Sequence, residues 1–497
     1  MGEGNRDARE PLPPFAAAQV LAVAAVLAGV LTALSARYGP HRDELYFLAA
    51  AGHPAWGYVD QPPLTPMIAK ATTALFGRSV PGLRVAATLA CAAAVVAIAA
   101  IARELGGGRR AQVLAAVLTA ASGYVLGIGH MVSTATFDML AWIVLSLLAL
   151  RLLRTGDGRW WLPIGVTAGI AMQNKYLVVL LAAALAAAVA LTGPRRTLRG
   201  PWPLAGVAAA LLIALPNLWW QAAHGWPQLT VAGGISADDG AENRLMLVPL
   251  QIVYLSPLFV PVWVAGALRL RRDPALRWAR ALPPAYLLLC GLVLATGGKP
   301  YYALPLLIVL MAAGCAPLAR WLRGGARWAA GAAALLVAAA MSALVALPLL
   351  PVSALAVPNA VDPEQGEQVG WPALARAAAA GWARIPAERR GRAVIFTENY
   401  GEAGAIAFYG PRLGLPAPYS GHMAFADWGP PPDDRDGPVL IITQRGDRGH
   451  ERFFSSCRRV AETRTGVDNE EDRGPVLLCE GPHRPWSALW PELRHYY

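Results

Sequence analysis

The sequence predicts a polytopic α-helical membrane protein with a small extramembrane α/β domain after its last span. Composition is the first reason: of 497 residues, 56% are hydrophobic and only 15% charged, with a mean hydropathy of +0.40, far more apolar material than one soluble core needs. The second is that arginines fall mainly in short loops between apolar runs. The third is a change after about residue 351, where charge rises, apolar runs shorten and Pro348, Pro351, Pro358 and Pro363 punctuate the chain.

At about 20 apolar residues per span, roughly eleven helices are expected: 15–36, 81–101, 111–128, 134–153, 161–173, 176–192, 203–220, 245–268, 282–296, 301–319 and 328–349. The first follows Arg6 and Arg9 and is longer than a signal-peptide core. It reads as an uncleaved anchor, although Ala33-Leu34-Ser35 weakly imitates a cleavage site. The formal charge of +11 would point to nucleic acid in a soluble protein. Here the basic clusters at Arg103/Arg109/Arg110, Arg151/Arg154/Arg159, Arg195/Arg196/Arg199, Arg269–Arg280 and Arg320–Arg327 mark alternate loops, the positive-inside pattern, and no nucleic-acid partner is expected. With a cytoplasmic N-terminus, an odd span count places the 37–80 loop and everything after about 350 on the outer side. The expected domains are a membrane module over 1–350, carrying the external 37–80 loop, and an extracytoplasmic domain over 351–497.

Within the first external loop, 45–51 is too short to span and suits an interfacial helix. Gly52-His53-Pro54 ends it, Trp56 to Pro63 forms a rigid turn, and 64–76 reads as a second surface helix. The loop over 220–244 contains a Gly/Asp/Ser-rich stretch, 233–240, that reads as mobile, with Asp238-Asp239 as a candidate lid. Thr296 to Tyr302 reads as a tight hinge. In the tail, 393–397, 439–443 and 476–479 read as buried strands, and 404–409 and 486–496 as helices. Cys91, Cys290 and Cys315 sit in apolar spans as small hydrophobes. Cys457 and Cys479 could pair in an oxidising compartment; spacing leaves this open.

Lysine is spare: Lys70, Lys175 and Lys299 stand against forty arginines. Such a ratio looks like a GC-rich genome that replaces lysine wherever charge alone matters, so the survivors are candidates for a specific role. All three fall outside the arginine-rich loops. The bland alternative is that they snorkel to the interface; the functional one is contact with a lipid phosphate. Asp43-Glu44, just after the first span, either caps the 45–51 helix or supplies a carboxylate at the membrane surface. Adjacent residues on a helix diverge by about 100°, so one acid can face a substrate while the other braces the loop; Asp43 is the expected general base. Asp138, near the outer end of its span, is costly there and expects a partner or a site, the alternative being an N-cap-like surface acid. Asp60 and Gln61 are weaker candidates, as are His53, His130 and His224. No spacing marks a strong metal site, so no cofactor is assigned, although Asp43, Glu44 and Asp60 could share a divalent cation. Trp219, Trp220, Trp226, Tyr301 and Tyr302 read as an aromatic belt that could equally present faces to a sugar.

Several of these residues sit in recognisable motifs: Asp43-Glu44 after span one, Gly57-Tyr58-Val59-Asp60-Gln61-Pro62-Pro63-Leu64, Thr136-Phe137-Asp138, Asn174-Lys175-Tyr176, Asn217-Leu218-Trp219-Trp220-Gln221 with His224-Gly225-Trp226-Pro227, and Gly298-Lys299-Pro300-Tyr301-Tyr302. Together they resemble the bacterial family 39 glycosyltransferases, membrane enzymes of the GT-C fold similar to protein O-mannosyltransferases and the lipid A aminoarabinose transferase. Tyr400 to Ala405 and Trp428-Gly429-Pro430-Pro431 resemble an actinobacterial subgroup. The resemblance implies inverting transfer of a hexosyl or pentosyl group from a polyprenyl phosphate to a glycan, lipid or protein acceptor at the outer face of the plasma membrane. Asp43 would be the base, with Glu44 and Asp138 orienting base or acceptor. Lys299, Lys175, Tyr301 and Tyr302 would hold the donor phosphate, and Asp60, Gln61, Trp220 and His224 would contact substrate. At the second turn Gln61 stands where the aminoarabinose enzyme has a lysine, a departure from the pattern.

A lipid or solute transporter or flippase would also account for many spans, but predicts ionisable groups at mid-membrane and paired discontinuous helices. A scaffold displaying the tail needs neither the acidic pair nor so many helices.

Overall fold

The computed structural model describes residues 11–446 and 449–496; Arg6 and Arg9 lie outside the described residues. Every expected span is helical. Among the described residues seven helices are long and apolar enough to cross a membrane: Ala17–Leu34, Val80–Glu104, Thr134–Thr155, Pro201–Ala223, Pro274–Thr296, Pro300–Trp321 and Gly325–Ala346. Two bent pairs raise the number to nine if each counts as one span. The remaining two segments, Trp161–Met172 and Val178–Thr192, have 12 and 15 residues, short of the roughly 20 that a bilayer core asks for.

Two of the expected spans are bent. Arg109–Ala120 and Gly123–His130 meet at 57°, and Gly240–Leu255 meets the 257–272 segment at 86°. At the second break Ser256 has φ +102° and Pro257 follows, so the backbone leaves helical geometry at a residue whose successor cannot donate an amide hydrogen.

The chain divides into two compact units. The first comprises the described residues up to Ser35 with 84–223 and 235–347; the second comprises 36–83, 224–234 and the described residues from 348 onward. In the first unit, helices Val260–Arg272 and Leu304–Trp321 approach through glycines. A Cβ on Gly266 would lie 1.9 Å from the Leu310 carbonyl oxygen, and one on Gly314 1.9 Å from that of Val262. Such backbone proximity replaces the hydrophobic drive that lipid cannot supply. One cluster of basic loop residues closes on a buried acid, where Arg154 Nε donates to Glu104 Oε1 at 2.6 Å.

The second unit is built on a five-stranded sheet. Strands β1 (Val394–Thr397), β2 (Tyr419–Ser420), β3 (Val439–Ile442), β4 (Phe454–Ser455), β5 (Arg458–Glu462), β6 (Pro475–Cys479) and β7 (Gly481–Pro482) follow in chain order. The sheet runs β2-β1-β3-β6-β5, and β4 pairs with β7 separately. β1 is parallel to β2 and β3, with Phe396 opposite Ile441; β6 is antiparallel to β3 and β5. Alternation sorts the core. Ile395, Leu440, Ile442 and Leu478 pack with Trp371, Leu374 and Ala378 of helix Trp371–Trp382, while Phe396, Val439 and Ile441 pack with Trp486 and Trp490. Burial on both faces explains why β1 and β3 are continuous apolar runs. Beside the Arg458↔Leu478 pairing, Cys457 and Cys479 form a disulfide with a Cα–Cα distance of 4.0 Å.

The 37–80 segment, expected to belong to the membrane module, folds with the tail. Leu45 is fully buried in the same cluster as Ile395 and Ala405. The stretch expected to be mobile is helical: Pro227–Asp238 is one helix and Gly240–Leu255 the next. Tertiary bonds override the weak glycine propensity, with Asn243 Nδ2 donating to Gly297 O at 2.9 Å.

Candidate active site

In the second unit, Asp43 stands in the first turn of helix Arg42–Ala50. His41 is the N-cap, its Nδ1 accepting the Asp43 N–H at 3.1 Å, while the Glu44 carboxylate accepts the His41 N–H at 2.8 Å. This is a capping box with histidine in the Ser/Thr position. Because Nδ1 accepts, the ring proton is placed on Nε2, which meets Glu364 at 2.8 Å. Glu44 is buried and engaged in capping, the bland alternative for that residue. Asp43 is only half-buried, and Tyr400 donates its hydroxyl hydrogen to Asp43 Oδ1 at 2.9 Å.

Tyr400 opens helix Tyr400–Tyr409, and close packing brings it to Asp43. A Cβ on Gly404 would lie 2.8 Å from Leu45 Cβ and 2.9 Å from the Leu45 carbonyl carbon; one on Gly401 would lie 2.5 Å from Arg42 Cγ. Burial pushes the Tyr400 phenol well above its ordinary range, so it remains a donor. The Arg42 guanidinium sits 5.6 Å from the Tyr400 ring centre and pairs with Glu470 at 3.2 Å.

A second carboxylate is held in parallel. Tyr46 donates to Asp60 Oδ1 at 2.6 Å, and the rings of Tyr46 and Tyr400 lie 5.0 Å apart. Burial raises the Asp60 carboxyl to about 7, the Tyr46 hydrogen bond opposing and the Asp43 charge adding to the rise. Gln61 is 2% exposed, and its side-chain Nε2 and Oε1 have no hydrogen-bond partner among the described residues. A buried amide with both ends open is costly unless a ligand completes it.

Asp60 makes the stability of the folded chain pH-dependent. A raised carboxyl binds a proton in the native state where the unfolded chain has lost it. Between the ordinary value of 3.8 and about 7, stability therefore falls as pH rises. Thermal melts at pH 5 and pH 8 are expected to show a smaller loss for Asp60→Asn than for wild type, by a difference of about 1–4 kcal/mol; parallel pH trends would refute the assignment.

In the first unit, Lys175 Nζ lies 4.6 Å from the Tyr302 ring centre and 5.5 Å from that of Tyr301. Tyr301 and Tyr302 meet edge to face at 5.0 Å. Asp138, buried in Thr134–Thr155, accepts from Trp142 Nε1 at 3.0 Å and feels the Lys175 charge. Of the expected phosphate-binding set, Lys175, Tyr301 and Tyr302 converge. Lys299 pairs instead with Asp239 at 3.6 Å, which engages the supposed lid residue. Trp220 is half-buried on Pro201–Ala223, and His224 is exposed beyond its end.

The shared divalent cation is not supported. Asp43, Glu44 and Asp60 are committed to a tyrosine, a helix cap and a second tyrosine. Among the described residues no group of three His, Cys, Asp or Glu side chains is placed to hold a metal ion. Sequence reading missed Tyr400, whose partner Asp43 is remote in the chain, and Tyr46, which meets Asp60 14 positions further on. It also missed Arg84, 1% exposed, whose guanidinium donates to Ser35 O at 2.9 Å; an arginine opening an apolar run was its signal.

Residues 60–220 match the dolichyl-phosphate-mannose-protein mannosyltransferase family. No curated protein sequence matches the chain. Among solved structures, ArnT from Cupriavidus metallidurans bound to undecaprenyl phosphate superposes with a TM-score of 0.63 at 15% identity, over 93% of this chain and 97% of that one. The same protein in the apo state gives 0.58 at 14% identity with the same coverage. Identities this low carry the fold alone. The chain is a multi-pass membrane protein with the GT-C fold, and its residues 60–220 are similar to the dolichyl-phosphate-mannose-protein mannosyltransferase family.

Proposed function

We propose that the protein is an inverting glycosyltransferase that moves a hexosyl or pentosyl group from a polyprenyl phosphate to a glycan, lipid or protein acceptor of the cell envelope. The plasma membrane is its site, with the chemistry on the extracytoplasmic side. The observation that carries the reading is the half-buried Asp43 carboxylate, held by Tyr400 at a helix N-terminus in a chain of GT-C fold. Asp43 takes the acceptor hydroxyl proton, the oxygen attacks the anomeric carbon, and the bond from that carbon to the phosphate oxygen breaks. The leaving polyprenyl phosphate gains negative charge, which Lys175 offsets with Tyr301 or Tyr302 as donors. Glu44 maintains the helix start that presents Asp43. Asp138 holds Lys175 by its charge. Gln61, with its unsatisfied amide, joins Asp60, Trp220 and His224 in contacting substrate.

The fold supports glycosyl transfer over transport. Purified protein in detergent is expected to release sugar from at least one member of a panel of polyprenyl phosphate sugars; binding of donors without turnover of any would return the transporter. In that assay Lys175→Met should lower kcat about 10- to 100-fold, with Lys175→Arg intermediate because charge survives at a changed position. An unchanged kcat would remove Lys175 from the leaving-group role.

A further inference from the structure

The second unit contains a cavity of about 600 Å³ that the proposed reaction does not use. Its walls come from helix Arg42–Ala50, helix Leu64–Phe76 and the tail, and they are largely apolar, with Leu48, Ala74, Pro418 and Phe425 among them. Two cations line it, Lys70 and Arg78, and no carboxylate does. Thr73, also in the lining, has a buried hydroxyl without a hydrogen-bond partner among the described residues. His53 stacks on Trp428 at 4.1 Å and closes one side.

Chain connectivity sets one wall residue, Arg78, beside the start of a candidate span, two residues before Val80. The neighbouring helix leaves Leu75 75%, Phe76 52% and Met67 49% exposed, a face that water disfavours and an interface accepts. Lys70 is one of only three lysines, and it faces this cavity. Cations beside an apolar cleft with an open hydroxyl, at the start of a candidate span, match a phosphodiester with acyl chains attached.

We propose that the cavity is a binding site for an anionic glycerophospholipid, its phosphate between Lys70 and Arg78 and bonded by Thr73, its glycerol and upper acyl carbons against the apolar wall. The site is separate from Asp43 and stands whether or not the chain transfers sugar.

The test is the melting temperature of the full chain in detergent titrated with phosphatidylglycerol or with phosphatidylcholine of the same acyl chains. Phosphatidylglycerol is expected to raise it by about 3–6 °C more than phosphatidylcholine. The Lys70→Gln/Arg78→Gln double variant should lose that excess, Lys70→Arg/Arg78→Lys should keep it, and Arg195→Gln/Arg196→Gln in a basic loop should also keep it. Equal shifts with both lipids, an undiminished excess in the Gln variant, or loss of the excess in the basic-loop variant would overturn the proposal. So would glycerol 3-phosphate alone reproducing the shift, since that would mean a site for free phosphate esters. Should the double variant fail to fold, native mass spectrometry of Lys70→Gln decides: fewer retained phosphatidylglycerol molecules than wild type supports the site, equal retention overturns it.

Discussion

Asp43→Asn is expected to lower turnover about a hundredfold or more while leaving the melting temperature and donor binding near wild type. The asparagine oxygen can still accept the Tyr400 hydroxyl, which now reaches Asp43 Oδ1 at 2.9 Å. The bond from the residue 43 N–H to His41 is made by the backbone and is unaffected. What disappears is the carboxylate basicity that takes a proton, so the cost falls on kcat. Glu44 provides the contrast. Glu44→Gln keeps an oxygen for the His41 N–H and should retain most activity, while Glu44→Ala gives up the capping bond and should cost about 1 kcal/mol of stability. Full turnover by Asp43→Asn with loss in Glu44→Gln would reverse the two roles. Tyr400→Phe tests positioning: a fall in kcat without a rise in KM is expected, because the phenol orients the base and does not itself accept the proton.

Hydropathy located the apolar spans because lipid demands long apolar runs, and such runs are local facts. Where the chain bends inside a run is less visible. Ser256-Pro257 is a readable break, but the bend between Arg109–Ala120 and Gly123–His130 has only Ser122-Gly123 to mark it. In the tail, β1, β3 and β6 were legible as apolar runs, whereas β2, two residues long, and β5, with the sequence RRVAE, lack a periodic signal. The Gly/Asp/Ser stretch before Asn243 was misread because propensity is weaker than its tertiary anchors. At the site, Asp43, Asp60, Lys175, Tyr301 and Tyr302 could be singled out by residue type and placement. Tyr400 could not, since it meets Asp43 across 357 positions of chain, and no periodicity encodes that contact.

Gly404→Val is expected to lower both stability and turnover, and Gly404→Ala to lower stability by about 1–3 kcal/mol. On helix propensity alone the alanine should gain about 1 kcal/mol, so the sign of the change separates local preference from packing. Packing is expected to prevail because one obstructing atom is the Leu45 carbonyl carbon, 2.9 Å from the built Cβ. Backbone cannot rotate aside as a side chain can. Relief requires helix Arg42–Ala50 to move from helix Tyr400–Tyr409, and that motion lengthens the Tyr400 to Asp43 bond while opening a gap around the fully buried Leu45. Valine enlarges the displacement and should bring the loss of turnover toward that of Tyr400→Phe or beyond. Gly391→Ala is the control, since nothing lies within 4 Å of its Cβ position, and it should melt close to wild type. If Gly404→Ala melted as high as wild type with unchanged turnover, the close approach of these helices would not be what holds the base in place.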